Sequence, residues 1–411
     1  MNKVSSGIWR EIFTLLIAGT LSLALQIVIL DPTFNGPDAI SNFQFAEAGQ
    51  SISYWLDPTA FWGYLFPMGY GTFLALATRI TGGDYLPIQI FQIGIGLSMA
   101  YLGWLITRNL GRLIRILTFV TIAFCPATIV LARMNGYEIF LGFFIMLSFT
   151  LILAWNPPFR VLLMASIAGT SMGLAMMFQG KSLVLLPLLS ILYSRRFSHG
   201  LWLFLTSSCV LPAAWGIRNY FVIGTWNPFN SSSGVVMWMG NNPKSIAGEY
   251  VVSPPPLPEG SSSFYEASLN FIVSQPERAF ELLLFRMSRL LQPPYIYLDL
   301  IDIPIIQIAL HFVFIVMYAF IAIVFFSFIF GRIWVSPPVL PPVTSSAVLV
   351  LLFGLAHIPF ATEIRHIQPV IPIALTVVVP TTIYLIRRWT RHLDISRSGR
   401  QTRGRFEVNG G

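Results

Sequence analysis

Ten apolar stretches, each close to the length that crosses a lipid bilayer, recur along this chain of 411 residues. A helix of about 20 apolar residues spans the hydrocarbon core, because each residue adds about 1.5 Å along the helix axis. Charged residues make up 10% of the chain and hydrophobic residues 55%, whereas a soluble domain has about 25% charged residues. The sequence therefore predicts an all-α, polytopic transmembrane bundle with lipid around most of its surface. The spans are predicted at 11–30, 86–107, 113–132, 136–154, 160–177, 181–194, 200–217, 305–330, 343–361 and 367–386.

One further apolar run, 61–80, is long enough either to cross the membrane or to lie at its outer face. The positions of the basic residues discriminate between these two topologies, because cytoplasmic loops are enriched in Lys and Arg. If 61–80 does not cross and the N-terminus is cytoplasmic, 16 of the 25 Lys and Arg residues lie inside and 14 of the 17 acids outside. If it crosses, the basic C-terminal tail faces outward. We therefore predict ten spans, both termini in the cytoplasm, and a re-entrant or juxtamembrane helix at 61–80.

This topology divides a single integral membrane domain, 1–411, into spans, two large extracytoplasmic segments and a tail. The first segment, 31–85, is compatible with an interfacial helix over 38–55. The second, 218–304, has loop signals at 231–234 and 254–256 and helical patterns at 263–274 and 277–291. The tail, 387–411, carries seven arginines with a single aromatic residue, Trp389, among them, which favours anionic lipid over nucleic acid as its neighbour. The N-terminal apolar run has no small-residue cleavage site and is predicted to be a retained first span.

Ionisable residues at a membrane boundary are costly unless they are paired or functional. The predicted topology places a ring of acids and bases at outer span ends, which fits an anionic, partly lipidic substrate, although each residue alone could be an ordinary interfacial charge. Asp31 and Asp57 precede prolines, which is typical of turns, and His311 and His357 are interpreted as packing residues. Cys125 and Cys209 lie in apolar runs without metal-ligand spacing. The ring consists of Asp38, Glu47, Asp57, Arg133, Glu138, Lys181, Arg218, Glu363, Arg365 and His366.

Five blocks of residues resemble, in order and spacing, one family of membrane enzymes. The resemblance is to bacterial GT-C glycosyltransferases of the dolichyl-phosphate-mannose–protein mannosyltransferase type, a group that includes the aminoarabinose lipid A transferases. It covers nearly the whole chain, and the Trp…Arg-Asn-Tyr…Gly…Gly-Asn-Asn-Pro pattern is its most specific part. Two positions depart from the pattern, since Ala39 stands where many relatives have a second acid and Phe66 where many have a basic residue. The blocks are Gly36-Pro37-Asp38-Ala39, Phe66–Leu76, Pro212–Tyr220, Trp238–Pro243 and Glu363-Ile364-Arg365-His366.

The resemblance implies an inverting transfer of a sugar from a polyprenyl-phosphate donor to an acceptor on the outer face of a bacterial plasma membrane. It implies Asp38 as the catalytic base and Lys181, Arg218 and Arg365 as ligands of the carrier phosphate. The implied partners are membrane lipid, the lipid-linked donor and an acceptor lipid, glycan or protein, with no nucleic acid. No metal ligand is assigned, and a requirement for a divalent cation is left open. The ring of charges and the matched blocks together predict the substrate-binding residues, which are Glu47, Arg133, Glu138, Asn241, Asn242, Glu363 and His366.

Elementary chemistry agrees with this reaction, which needs one base for the acceptor proton and positive charge at the leaving phosphate. Three other readings remain. A transporter or flippase of a lipid-linked or anionic solute would show internal repeats and polar residues at the midplane. A surface-polysaccharide polymerase or ligase would concentrate arginines in large outer loops. A non-enzymatic scaffold would need no catalytic residues. The one-sided placement of polar residues, without an internal repeat, favours the transferase.

Overall fold

A computed structural model describes most of the predicted spans and, of the first large loop, residues 51, 57 and 68–85. Every regular element among the described residues is a helix. The expectation of an all-α chain is therefore confirmed for this part of the sequence. The predicted helix at 38–55 and the predicted span at 305–330 lie outside the described residues, apart from isolated positions. The described residues are 2–28, 51, 57, 68–133, 136–154, 161–197, 199–229, 232–245, 256–258, 260–290, 308, 312, 315–316, 319–320, 323, 340–357, 360 and 364–406.

Fourteen α-helices and three 3₁₀ segments make up the described structure. The 3₁₀ segments are Arg108–Leu110, Gly180–Leu185 and Ile364–Val370. The α-helices are α1 (Asn2–Val28), α2 (Met68–Thr81), α3 (Leu86–Ile106), α4 (Arg112–Ala123), α5 (Pro126–Arg133), α6 (Glu138–Leu153), α7 (Val161–Phe178), α8 (Leu186–Arg196), α9 (Leu201–Ile223), α10 (Ser232–Gly240), α11 (Phe264–Ser274), α12 (Pro276–Leu290), α13 (Leu340–Leu355) and α14 (Ile371–Phe406).

Five stretches of the described helices are long and apolar enough to cross a membrane, and a sixth span results if α4 and α5 are counted together. These six coincide with six of the predicted spans. Helices α6 and α13 are apolar but shorter, and the predicted span 181–194 begins as a 3₁₀ segment before α8. Long apolar helices of this kind are what a membrane protein contains, because lipid offers no partner for unpaired backbone groups.

The predicted span 113–132 is not one straight helix. Helices α4 and α5 meet at an angle of 40°, and the break lies at Phe124 and Cys125, directly before Pro126. Proline cannot donate a backbone hydrogen bond and disfavours the helical conformation in the residue before it. Pro126 therefore ends α4 and begins α5, which brings Arg133 to the end of a short, fully buried helix.

A single apolar core joins α3, α4, α6 and α7, with α1 and α14 packed against α4 and α13 against α14. Helices α7 and α9 make the most extensive helix pair. Their contact is close because glycines on α7 face the backbone of α9, and an ideal Cβ on Gly173 would lie 2.7 Å from the Ser208 carbonyl oxygen. Small residues permit such approach between membrane helices. This pair fixes the separation of the segments that follow α7 and end α9.

Five described arginines of the predicted cytoplasmic loops lie at one end of the bundle. Glu11 of α1 accepts hydrogen bonds from Arg115 Nη2 at 2.7 Å and from Trp104 Nε1 at 2.8 Å. Arg196 donates to the Leu153 carbonyl and lies within electrostatic range of Arg108. We call this the basic end; its residues are Arg108, Arg112, Arg115, Arg195 and Arg196.

Helices α10, α11 and α12 form a smaller cluster around Trp238, Phe271 and Leu282. The helices predicted in the second half of the long loop are confirmed as α11 and α12. The loop predicted at 231–234 is wrong, because α10 begins at Ser232. Serines that were read as loop formers stand in the first turn of this helix, where small hydroxyl side chains are well tolerated.

Candidate functional site

The 3₁₀ segment Ile364–Val370 organises the end of the bundle opposite the basic end. It packs against α5, α6, α12, α13 and α14, so that helix ends from distant parts of the sequence surround it. An ideal Cβ on Gly142 of α6 would touch the carbonyl of Pro369 within this segment, so no larger residue fits there. We call this the polar end; its residues are Gln89, Arg133, Glu138, Gln179, Lys181, His357 and His366.

Lys181 is held on an aromatic ring at the polar end. Its ammonium nitrogen lies 4.4 Å from the centre of the Phe360 ring, a favourable cation–π geometry, and it acts electrostatically on His357. The His357 and His366 ring centres are 5.2 Å apart, and His357 Nδ1 donates to the Phe353 carbonyl oxygen at 2.8 Å. Lys181 is only partly buried, so its charge is accessible to an anionic ligand.

Glu138 and Arg133 lie on either side of the turn between α5 and α6, and both are buried. Gln89 of α3 donates to the Arg133 carbonyl oxygen at 3.3 Å. Gln179, which follows α7, donates to the Tyr137 hydroxyl at 3.4 Å. These bonds bring the start of α3, the α5–α6 turn and the end of α7 together, and place a carboxylate among amide groups.

Arg218 lies near the end of α9 and is also held on an aromatic face. Its guanidinium carbon is 4.7 Å from the Trp215 ring centre, and Nη1 donates to Asn219 Oδ1 at 2.9 Å. Trp215 Nε1 donates to the Phe229 carbonyl oxygen at 3.2 Å, and Phe229 lies against Gly180. Arg218 is therefore linked to the residue before Lys181 through Trp215 and Phe229.

Asn241 and Asn242 end helix α10, and both side chains are buried. Asn242 Nδ2 donates to the Trp238 carbonyl at 2.8 Å, while Asn241 Oδ1 accepts from Arg286 Nη2 at 3.0 Å. Arg286 of α12 also donates to the Gly240 carbonyl. Burial lowers the pKa of Arg286 to about 10, because desolvation disfavours the charged guanidinium. In the described structure these amides close a helix end, and their expected role in substrate binding stays a prediction.

The remaining predicted site residues are described in part or not at all. Asp38, Glu47 and Glu363 lie outside the described residues, and only the backbone of Arg365 is described, within the 3₁₀ segment. Of the predicted set, the structure therefore brings Arg133, Glu138, Lys181 and His366 to one end of the bundle. Within the described part of the chain, no group of three or more His, Cys, Asp or Glu side chains could hold a metal ion.

Several residues of the polar end were not expected from the sequence. His357 was interpreted as a packing residue, and it is buried and hydrogen-bonded, but it also contacts His366 and feels the charge of Lys181. The sequence did not indicate a role for Gln89 and Gln179, or for Arg286 at the end of α10, since a single amide or a single basic residue has no characteristic spacing. Proximity of Gln179 to Lys181 in the sequence was the one available clue.

Comparison with protein-family models, with curated protein sequences and with solved structures gives no match for this chain. The functional conclusion therefore depends on the residues and on their geometry.

Proposed function

We propose that the protein is a GT-C-type glycosyltransferase, which transfers a sugar from a polyprenyl-phosphate donor to an acceptor outside a bacterial plasma membrane. One observation carries the proposal: Glu138, Lys181 and two histidines lie at one end of an apolar bundle, while the arginines of the basic end lie at the other. Since basic loops stay in the cytoplasm, the polar end faces outward. A donor anchored in the membrane reaches such a site without a soluble nucleotide-sugar domain.

The proposal includes ten spans with both termini in the cytoplasm. Helix α1 begins at the basic end, where Glu11 pairs with Arg115. Helix α14 starts beside the polar end and has 36 residues, a length of about 54 Å. A helix of that length crosses the membrane and extends the arginine-rich tail, 387–411, on the cytoplasmic side.

The proposed reaction joins an acceptor hydroxyl to the anomeric carbon of the donor sugar. Asp38 takes the proton of the attacking hydroxyl as the new C–O bond forms on the face opposite the phosphate. The old C–O bond breaks, and its electron pair leaves with the polyprenyl phosphate. Lys181, Arg218 and Arg365 neutralise the charge that develops on this leaving group.

The aromatic supports of Lys181 and Arg218 fit this role. A cation held on a ring loses less side-chain entropy when it binds an anion, because its position is already restricted. The phosphate would therefore meet two prepared cations near the ends of neighbouring helices. The acceptor and the identity of the sugar are left open by the proposal.

The one-sided distribution of charged residues favours an enzyme over a transporter. Among the described residues, Arg133, Glu138, Lys181 and His366 all lie at the polar end of the bundle. Transporters place their solute and ion sites near the midplane instead.

A transfer assay tests the proposed reaction. Purified protein is given a panel of polyprenyl-phosphate sugars, and release of polyprenyl phosphate is measured. The wild type is expected to release the carrier from at least one donor, and Asp38→Asn to abolish release while the protein stays folded. Asp84→Asn is the matched control, since Asp84 belongs to the same outer segment, is exposed and is not in the ring, and asparagine can still accept the hydrogen bond from the Leu86 backbone nitrogen. Full activity of Asp38→Asn, or no release from any donor, would refute the assignment.

Cysteine labelling in intact cells tests the sidedness. In a Cys209→Ser background, Gly410→Cys is expected to resist a membrane-impermeant maleimide, and Pro258→Cys, an exposed position in the long loop, to react. Labelling of Gly410→Cys without permeabilisation would overturn the ten-span topology.

A further inference from the structure

Two polar atoms near the polar end are buried without a hydrogen-bond partner. They are the hydroxyl of Tyr70 on α2 and the side-chain carbonyl oxygen Oε1 of Gln179. The two residues are only 2% and 7% exposed. An unsatisfied buried polar group costs about 1–3 kcal/mol, so proteins seldom retain one without a ligand, a water or a functional reason.

The contacts between α2 and α7 place Tyr70 near the residues that precede Gln179. An ideal Cβ on Gly69, the neighbour of Tyr70, would lie 3.0 Å from the Met177 carbonyl carbon and from the Phe178 nitrogen. The Tyr70 ring packs on Phe140 of α6, with ring centres 5.9 Å apart, and Phe140 stacks on Phe178 at 5.5 Å. Tyr70 thus lies beside the last residues of α7, directly before Gln179.

Glu138 and Tyr137 complete the surroundings of the two atoms. Gln179 donates through Nε2 to the Tyr137 hydroxyl, and Glu138 is within electrostatic range of the Tyr70 hydroxyl. The Glu138 carboxylate turns back over Gly136, which has no side chain to obstruct it. We call Tyr70, Tyr137, Glu138 and Gln179 the buried polar site.

The chemistry of the two unpaired atoms selects the ligand. Tyr70 offers a proton, and Gln179 Oε1 needs one. A phosphate accepts but does not donate when fully ionised, and the Glu138 carboxylate would repel it. An alcohol hydroxyl can accept from Tyr70 and can donate to Gln179 Oε1, so a group with several hydroxyls is the complement of this site.

We propose that the buried polar site binds hydroxyl groups of the donor sugar, with Tyr70 and Gln179 as its specificity-determining residues. This inference rests on the proposed function and deepens it. Gln179 and Lys181 are two residues apart, at most about 7 Å along an extended chain, which is the scale of one sugar ring next to its phosphate. The sugar hydroxyls lie at Gln179 and the phosphate at Lys181. The two atoms are closed from solvent in this structure, so binding of the sugar requires a local opening of the site.

Binding measurements with two lipids test the site. The full-length protein in detergent is titrated with undecaprenyl phosphate and with undecaprenyl phosphate carrying glucose, mannose or arabinose. The wild type is expected to bind at least one sugar-bearing lipid more tightly than the bare lipid. Tyr70→Phe is expected to reduce this advantage roughly 2- to 10-fold, the loss of one neutral hydrogen bond, without changing affinity for the bare lipid.

A matched variant and a stability measurement sharpen the test. Tyr193→Phe removes a second buried tyrosine hydroxyl, which donates to the His199 carbonyl oxygen at the basic end, and is expected to keep the sugar advantage. Without donor, Tyr70→Phe is expected to raise the Tm, since an unsatisfied hydroxyl is removed. A lowered Tm together with an unchanged sugar advantage would mean that a structural water satisfies Tyr70, and would overturn the inference.

The outcomes separate this inference from the proposed reaction. Carrier release with a sugar advantage that does not depend on Tyr70 refutes the buried polar site and leaves the transferase standing. A Tyr70-dependent sugar advantage without carrier release from any donor supports the site and refutes the transferase. Equal binding of bare and sugar-bearing lipids by the wild type overturns the inference.

Discussion

Replacement of Gly173 by alanine tests the packing that positions the site. Gly173 lies on α7, where an ideal Cβ would be 2.7 Å from the Ser208 carbonyl oxygen and 3.3 Å from the Ser208 carbonyl carbon on α9. Those are backbone atoms, which cannot rotate away as a flexible side chain does. The two helices must therefore move apart, and overpacking of this kind costs about 1–3 kcal/mol.

The magnitude is best measured against Gly94→Ala. Gly94 is also inside a helix, α3, but nothing lies within 4 Å of its ideal Cβ. Alanine is favoured over glycine in a helix interior by about 0.8–1 kcal/mol, and this gain is common to both substitutions. The difference between the two variants therefore isolates the packing term, and Gly173→Ala should be less stable than Gly94→Ala by about 1–3 kcal/mol.

Equilibrium unfolding in mixed micelles, with increasing dodecyl sulfate and tryptophan fluorescence as the readout, gives both free energies of unfolding. Gly94→Ala is expected to match or exceed the wild type, while Gly173→Ala falls below it. Because α7 leads to Lys181 and α9 carries Arg218, Gly173→Ala should also weaken binding of polyprenyl phosphate. Equal stability of the two variants would refute the close packing of α7 against α9.

Three further predictions follow from single contacts. Lys181→Gln, which removes the accessible charge on Phe360, should weaken binding of undecaprenyl phosphate, as followed by calorimetry; unchanged affinity would contradict the phosphate role. Arg286→Met removes the guanidinium that donates to the Gly240 carbonyl and to Asn241 Oδ1. Amide hydrogen exchange in α10 should therefore accelerate by at least 10-fold, about 1.4 kcal/mol. Unchanged exchange rates in α10 would show that this helix end does not need the guanidinium. Glu11→Gln removes the carboxylate facing Arg115 and should lower the free energy of unfolding by about 1.5–3 kcal/mol, whereas a loss below about 0.5 kcal/mol would place this pair among weak surface ion pairs.

Much of the fold followed from local pattern. Six predicted spans coincide with helices that are apolar and long enough to cross a membrane, because apolar length alone reports a preference for lipid. Helices α11 and α12 were predicted from their amphipathic pattern, and the cap of α11 explains why the boundary was visible: Ser263 accepts from the Glu266 backbone nitrogen. The break at Pro126 was missed although proline is a local signal, because prolines are also tolerated inside membrane helices. The helix at Ser232–Gly240 was missed because its serines were interpreted as loop formers.

Of the residues at the candidate site, only the ionisable ones were predicted from the sequence. Lys181, Glu138, Arg133 and His366 were named because charges next to apolar spans are conspicuous and costly. Tyr70 and Gln179 were not, since neutral polar residues occur in many membrane helices without consequence. His357 was underestimated for the same reason: a histidine near the end of a span gives no sign of what faces it.

The sequence by itself determined that the described part of this chain is helical, and that several of its helices are long and apolar enough to cross a membrane. Those properties follow from the solvent preference of each segment, which is local and additive along the chain. Only the tertiary structure decided which helix ends meet, so that Lys181 faces His357 and Tyr70 lies beside the end of α7. Such neighbours are set by the packing of small residues between helices, and packing depends on pairs of surfaces that no single segment encodes.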